Sequence, residues 1–368
     1  MGMTPEEVEL LSELTIVIPT YNRPLELERA IEYWRNTPVT VHILDGSKLA
    51  CMAKGKIKNA ETITYHHIPC PDGENPLTHG SKRLLFGADL SRTEYSAVCS
   101  DDDYYTISGL IESLKILKSQ SRFNAVAGRV LTYERKRNLF WHHKYVPRTN
   151  RTDLESDSLE KKLTVGSSWF LHAVCRTETW QKFLLTFLEE KEFTKANFYA
   201  HEWILFLLCK TMFRTKYMDI IQLVRQDTII GANKEPEVPW EIFICDSQNA
   251  TVVDEIAKQL ASGFNEVTPI SEHAKNLELA RHQIRLEQEK ALKMIVASPK
   301  SKTLKRILGD IVFFFLPGLN VFSDRPRRLR YLWRIPKYQY SAEQQREVER
   351  IEKLLLLPRE ELRLRANI

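Results

Sequence analysis

With 368 residues, 43% of them hydrophobic, the chain is long enough for one large globular domain with an appendage, or for two domains. Its net charge of +5 is modest, but basic residues gather between Lys300 and Lys337, which argues for a local anionic partner and against a general nucleic-acid-binding protein. The six cysteines are scattered with no CxxC pair, which excludes metal-finger spacing and reads as reduced thiols.

Met1 to Glu13 is acidic and lacks the basic start and apolar centre of a secretory signal, and no segment offers the roughly 18 to 20 apolar residues that span a bilayer. A cytoplasmic protein is expected, with contact at the inner face of the membrane left open. Leu14 to Pro19 is a β-branched run closed by proline and predicts a buried strand. Its loop is Thr20-Tyr21-Asn22-Arg23-Pro24. Leu27, Ala30, Ile31 and Trp34 then recur at helical spacing, and Val39 to Leu44 returns as a second strand ending at Asp45-Gly46-Ser47. This is a βαβ unit with a right-handed crossover.

The pattern repeats with a strand near Thr62 to Ile68, a loop running to Gly80, a helix from Ser81 to about Leu90 and a strand Tyr95 to Cys99. After it stand Asp101, Asp102 and Asp103, and a helix over Ile107 to Lys118 follows. A strand around Ala125 to Leu131, an aromatic hairpin over Leu139 to Tyr145 and a surface loop over Pro147 to Asp157 come next. Trp169 to Cys175 reads as a strand, Glu178 to Leu188 as a helix, Ala200 to Met212 as a helix opened by His201 and Glu202, and Asp219 to Val224 as the last strand.

Beyond about Glu235 the chain becomes helical. Ser271 to Ala297 carries an apolar stripe and Ser341 to Leu357 is amphipathic. Between them, Lys302 to Arg334 flanks Ile311 to Leu316 with basic residues, which suits an anionic membrane surface or a docked helical pair. The reading is a catalytic domain over 14–235 and a helical extension over 236–368, with 300–337 as its basic, apolar segment.

Three adjacent carboxylates repel one another unless a cation joins them. Oxygen-rich sites suit Mg²⁺ or Mn²⁺, which binds through one or two carboxylates plus substrate phosphates. In open α/β sheets ligands collect beyond the carboxyl ends of the strands, where Tyr21, Asn22, Arg23, Asp45 and the triplet all fall. A nucleotide-sugar diphosphate is the ligand this suggests.

The ordered set TIVIPTYNRP, ILDGS, SKRLL and VCSDDDYY over roughly Leu14 to Arg225 resembles the inverting, metal-dependent family 2 glycosyltransferases, in particular bacterial members linked to surface polysaccharides. The resemblance implies a GT-A-like, Rossmann-like α/β fold with a mostly parallel sheet flanked by helices. It implies transfer from a nucleotide-diphosphate sugar donor to a glycan or lipid-linked acceptor. Pro19, Thr20, Tyr21, Arg23, Asp45 and Arg83 would hold the nucleotide sugar, with Asp45 accepting from the base or ribose. Asp101 would lie near the ribose and Asp102 and Asp103 at the metal. Ser100 stands where the family commonly has its first Asp, so either Asp102 or the pair Asp101 and Asp103 satisfies the motif. Glu202 would be the general base with His201 beside it, although the family more often has Glu-Asp there. Trp169 and Arg225 fall on the acceptor or diphosphate side. A nucleotidyltransferase on a related sheet, or a non-catalytic membrane-associated assembly protein, are the alternatives; the absence of glycine from Pro19 to Arg23 weighs against the first.

Overall fold

The computed structural model describes residues 2–51, 55, 57, 60–72, 76–134, 139–142, 158–164, 172–188, 198–226, 243–297 and 341–356. In chain order the elements are α1 (Pro5–Ser12), β1 (Leu14–Thr20), α2 (Pro24–Trp34), β2 (Thr40–Asp45), β3 (Ile63–His67), α3 (Pro76–Leu90), β4 (Tyr95–Val98), β5 (Asp103–Tyr105) and α4 (Ile107–Ser119). There follow β6 (Ala125–Glu134), β7 (Leu139–His142), α5 (Leu159–Thr164), β8 (Val174–Arg176), α6 (Thr177–Leu188), α7 (Phe198–Met212), β9 (Thr215–Gln226), α8 (Ala250–Asn265), α9 (His273–Ala297) and α10 (Ala342–Leu356).

One sheet runs in the order β3-β2-β1-β4-β8-β6-β9-β5, with β7 paired on β6. The pairs β1 with β2, β1 with β4, β2 with β3 and β6 with β9 are parallel. β8 is antiparallel to both β4 and β6, so those two point the same way, and β5 and β7 run against the common direction. The result is the mostly parallel, helix-flanked α/β sheet expected from the sequence.

Strand alternation divides the core. Ile16, Ile18, Val41 and Ile43 face one side, where Leu27, Ile31 and Trp34 of α2 and Leu110, Leu114 and Leu117 of α4 cover them. Val17, Leu44 and Val98 face the other, under Ala88 of α3, Phe183 and Leu184 of α6 and Leu205 and Leu208 of α7. Gly87 lets α3 settle on this second face, since a Cβ there would lie 2.6 Å from Val17 Cγ1 and 2.8 Å from Leu44 Cδ1. The helices beyond residue 235 join both layers. Ile351, Leu354 and Leu355 of α10 belong to the first core, and Ile256, Leu260, Phe264, Ala280 and Ile284 of α8 and α9 to the second.

Several boundaries differ from expectation, among them β9, which starts at Thr215, and β8, which is confined to Val174–Arg176. α3 starts at Pro76, five residues before Ser81, because the residues between continue the helix. α7 starts at Phe198, so His201 and Glu202 lie inside its first turns and do not open it. Asp103 starts the short strand β5, which pairs with β9 and was not anticipated. The loop 147–157, Trp169 and the segment 300–337 lie outside the described residues. Among the described residues no helix is long and apolar enough to cross a membrane.

Candidate functional site

The carboxyl ends of β1, β2 and β4 meet at one edge of the sheet, as the register Thr20 with Asp45 and Val17 with Val98 requires. At this edge the structure gathers Thr20, Tyr21, Arg23, Asp45, Arg83 and the aspartate triplet. Asn22 makes the turn out of β1 with φ 54°, a left-handed conformation that asparagine tolerates. Its N–H donates to Ser47 Oγ at 2.8 Å, which ties the β1 loop to the β2 loop.

The acidic triplet has its own cation. Arg23 Nη1 donates to Asp101 Oδ1 at 2.8 Å and Arg23 Nη2 to Asp102 Oδ2 at 2.5 Å, a fork across two neighbouring carboxylates. Thr20 Oγ1 donates to the remaining Asp101 oxygen at 2.6 Å. Asp103 turns away from them. Its Oδ1 accepts from Gln226 N at 3.2 Å, and its position in β5 is paired with Arg225 of β9. Burial pushes the Asp103 carboxyl well above the usual range, and Asp102 adds to this while Arg225 opposes it. The Asp103 carboxylate is buried, and through Gln226 N it helps join β5 to β9.

The same geometry tests the expected Mg²⁺ or Mn²⁺. Asp101 carries Thr20 and Arg23, Asp102 shares Arg23, and Asp103 faces β9. No group of three metal-ligating side chains converges among the described residues. Among the described residues, Arg23 supplies positive charge to Asp101 and Asp102.

Asp101 titrates unusually. Burial pushes its carboxyl up, against the pull of Arg23, with Asp102 raising it further and Thr20 lowering it, to about 7. A folded value above the unfolded one means that the native chain holds this proton more tightly. Its contribution to stability is complete below about pH 4 and is lost as pH rises through about 7. The variant Asp101→Asn keeps an acceptor for Arg23 and never ionises. It is expected to flatten the fall in the urea midpoint between these two pH values; an unaltered slope would count against the buried position of Asp101.

Asp45 is anchored in a different way. It is fully buried, with Oδ1 accepting from Ser47 N at 2.8 Å and Ser47 Oγ at 2.5 Å, and Oδ2 accepting from Cys51 N at 3.0 Å and from the Tyr65 hydroxyl. Burial alone would raise its pKa, but these four donors hold the carboxyl below the usual range. A carboxylate has about four acceptor positions, and all are engaged. Asp45 thereby shapes the β2 loop. His67 Nε2 lies 2.8 Å from Ser47 O and completes the loop's anchoring.

Arg83 lies on α3 one turn before Gly87, and only 7% of it is exposed. Its guanidinium crosses the backbone at Gly46, where a Cβ would fall 2.3 Å from Arg83 Cζ. His79 Nδ1 sits 3.0 Å from Arg83 Nη1 and accepts its hydrogen, while Arg83 Nε has no partner. No carboxylate among the described residues is paired with it. Burial accordingly lowers the pKa of Arg83, and Cys70, Asp45 and Tyr21 give only a partial compensation at a distance. A buried guanidinium with an open N–H and no acidic partner is a place for an anion.

No protein-family model matches the chain, and no curated protein aligns with it. Among solved structures it is similar to the crystal structure of S. aureus TarS, with a TM-score of 0.44 and 10% sequence identity over 76% of this chain and 55% of that one. The chain thus spans about half the length of that protein.

Sequence reasoning missed the second layer of the site. Ser47, Tyr65, His67 and His79 orient Asp45, the β2 loop and Arg83, and only Tyr65 and His67 had a signal, as alternate residues of one strand. His172 also escaped. It is buried with Nδ1 3.3 Å from Val98 O, and burial together with Arg225 pushes its pKa down to about 4, so its ring is neutral beside the acidic turn. His201 and Glu202 are placed on α7, but their side chains lie outside the described residues, as does Trp169. Pro19 is half-buried in β1, and Arg225 is in β9 beside Asp103.

Proposed function

We propose that the chain is a glycosyltransferase that moves a sugar from a nucleotide-diphosphate donor to a glycan or lipid-linked acceptor, with inversion. Arg83 carries this reading: a buried cation without a carboxylate partner among the described residues, at the carboxyl edge of a mostly parallel α/β sheet, suits a diphosphate. The resemblance of TIVIPTYNRP, ILDGS and VCSDDDYY to family 2 supports it.

In this reading Tyr21 and the loop from Pro19 to Arg23 receive the nucleoside, and Arg83 meets the diphosphate. Glu202 removes the proton of the acceptor hydroxyl while that oxygen attacks the anomeric carbon from the face opposite the diphosphate. The new carbon–oxygen bond forms as the bond to the diphosphate oxygen breaks. The departing pair of electrons goes to the diphosphate, whose charge Arg83 offsets in a site shielded from water. His201 orients Glu202, and Trp169 and Arg225 lie on the acceptor or diphosphate side. A basic stretch at 300–337 would hold the chain near an anionic membrane carrying a lipid-linked acceptor.

Calorimetry with UDP, GDP, CDP and TDP, in EDTA and then in Mn²⁺, tests the reading. One nucleotide is expected to bind in EDTA and to lose about tenfold or more in affinity with Arg83→Met, the range for a charged hydrogen bond. No binding to any of the four under either condition would sink the assignment.

A further inference from the structure

The helix α10 contacts the start of α4, just after the acidic turn, and the Tyr33 ring of α2. Glu347 is buried, and its carboxylate accepts from Ser108 N, at 3.1 Å on Oε1 and 3.3 Å on Oε2, and from the Ser108 hydroxyl. Ser108 is the second residue of α4, where backbone N–H groups have no partner within the helix. Thr106, the residue before α4, serves Gly109 N at 3.1 Å. Glu347 serves Ser108 from 239 residues away, and its negative charge suits a helix N-terminus.

A second contact lies one turn further along α10. The Arg350 guanidinium sits 5.6 Å from the centroid of the Tyr33 ring. The Tyr33 hydroxyl donates to Tyr105 O at 2.5 Å, and its ring meets that of Tyr104 edge-on with centroids 5.2 Å apart. Tyr104 and Tyr105 complete β5, the strand that Asp103 begins. Tyr105 in turn donates its hydroxyl to His172 O at 2.7 Å and Val98 O at 2.9 Å, at the end of β4. Both contacts of α10 therefore converge on the segment from Asp103 to Ser108, directly after Asp101 and Asp102.

β5 is only three residues long and pairs with one neighbour, β9. An edge strand that short has little stability of its own. Ile351, Leu354 and Leu355 hold α10 in the same core as Tyr104 and Tyr105, packed against α2, α4 and β9.

We propose that Glu347 is a positioning residue: it docks the C-terminal helix on the start of α4 and thereby fixes β5 and the acidic turn. This does not rest on the glycosyl-transfer reading. The test is hydrogen exchange of the full chain, without nucleotide, read by mass spectrometry in Glu347→Ala, Glu347→Gln and Ser108→Ala. In Glu347→Ala the amides from Asp103 to Ser108 are expected to exchange about tenfold faster, with the central strands β1, β2 and β4 unchanged. Glu347→Gln retains an acceptor for Ser108 N and should stay near the parent rate. Ser108→Ala removes the hydroxyl contact alone and should fall between them, which keeps the test informative should Glu347→Ala fail to fold. Faster exchange confined to α10, or spread equally over every strand, would overturn the proposal. Because no nucleotide enters this assay, its result is separate from that of the calorimetric panel.

Discussion

Arg23→Met is expected to destabilise the fold by about 3–5 kcal/mol, because it removes the cation that bridges two buried carboxylates and leaves them facing each other. For a chain of this size that corresponds to a fall in melting temperature of about 4–7 °C. The sign of its pH dependence follows from the same charges. Without Arg23, Asp101 and Asp102 are relieved only by taking up a proton, so the variant should be closest to the parent near pH 5 and furthest from it near pH 8. Arg23→Lys keeps a charge but cannot fork to both side chains, and an intermediate loss is expected. Scanning calorimetry at the two pH values reads all three, and an unchanged melting temperature at the higher pH would show that the bridge contributes nothing.

Gly46→Ala separates binding from folding. The added Cβ would stand 2.3 Å from Arg83 Cζ and 2.4 Å from Nη1, so the guanidinium must leave its place over the β2 loop. Because those atoms end a flexible side chain, the backbone has no need to shift, and the loss of stability should stay within about 0.5–3 kcal/mol, the common range for a single substitution. Nucleotide affinity should fall roughly tenfold to a hundredfold, the range for losing a hydrogen bond to a charged group. Arg83→Met should give the same loss, and the double variant little more than either one, since both remove one interaction. A weakened Gly46→Ala beside an unaffected Arg83→Met would move the contact from Arg83 to the loop itself.

Much of this architecture was legible before any coordinates. Ile16, Val17 and Ile18 form a β-branched run that only a buried strand accommodates, and Leu27, Ile31 and Trp34 recur at a spacing that only a helix brings to one face. Those local patterns placed Thr20, Arg23, Asp45, Arg83 and the aspartates near one edge. β5 was not legible, because Asp103-Tyr104-Tyr105 is too short to show a period and becomes a strand only by pairing with Val224 and its neighbours more than a hundred residues later. The helix over Ala250–Asn265 was passed over for a different reason. Its buried Ile256, Leu260 and Phe264 repeat at four-residue intervals, but polar residues between them dilute the signal.

The sequence by itself determined the layered α/β arrangement and the carboxyl edge as the place for chemistry, since both follow from side-chain periodicity and strand direction. It could not determine what each polar residue does at that edge. A carboxylate's role depends on how many of its acceptor positions are filled and on how far it is from water, and both are set by residues remote in sequence. Tertiary structure alone engages all four acceptor positions of Asp45 in the β2 loop, gives Asp101 and Asp102 to Arg23, turns Asp103 toward Gln226 and buries Arg83 with its Nε unpartnered among the described residues.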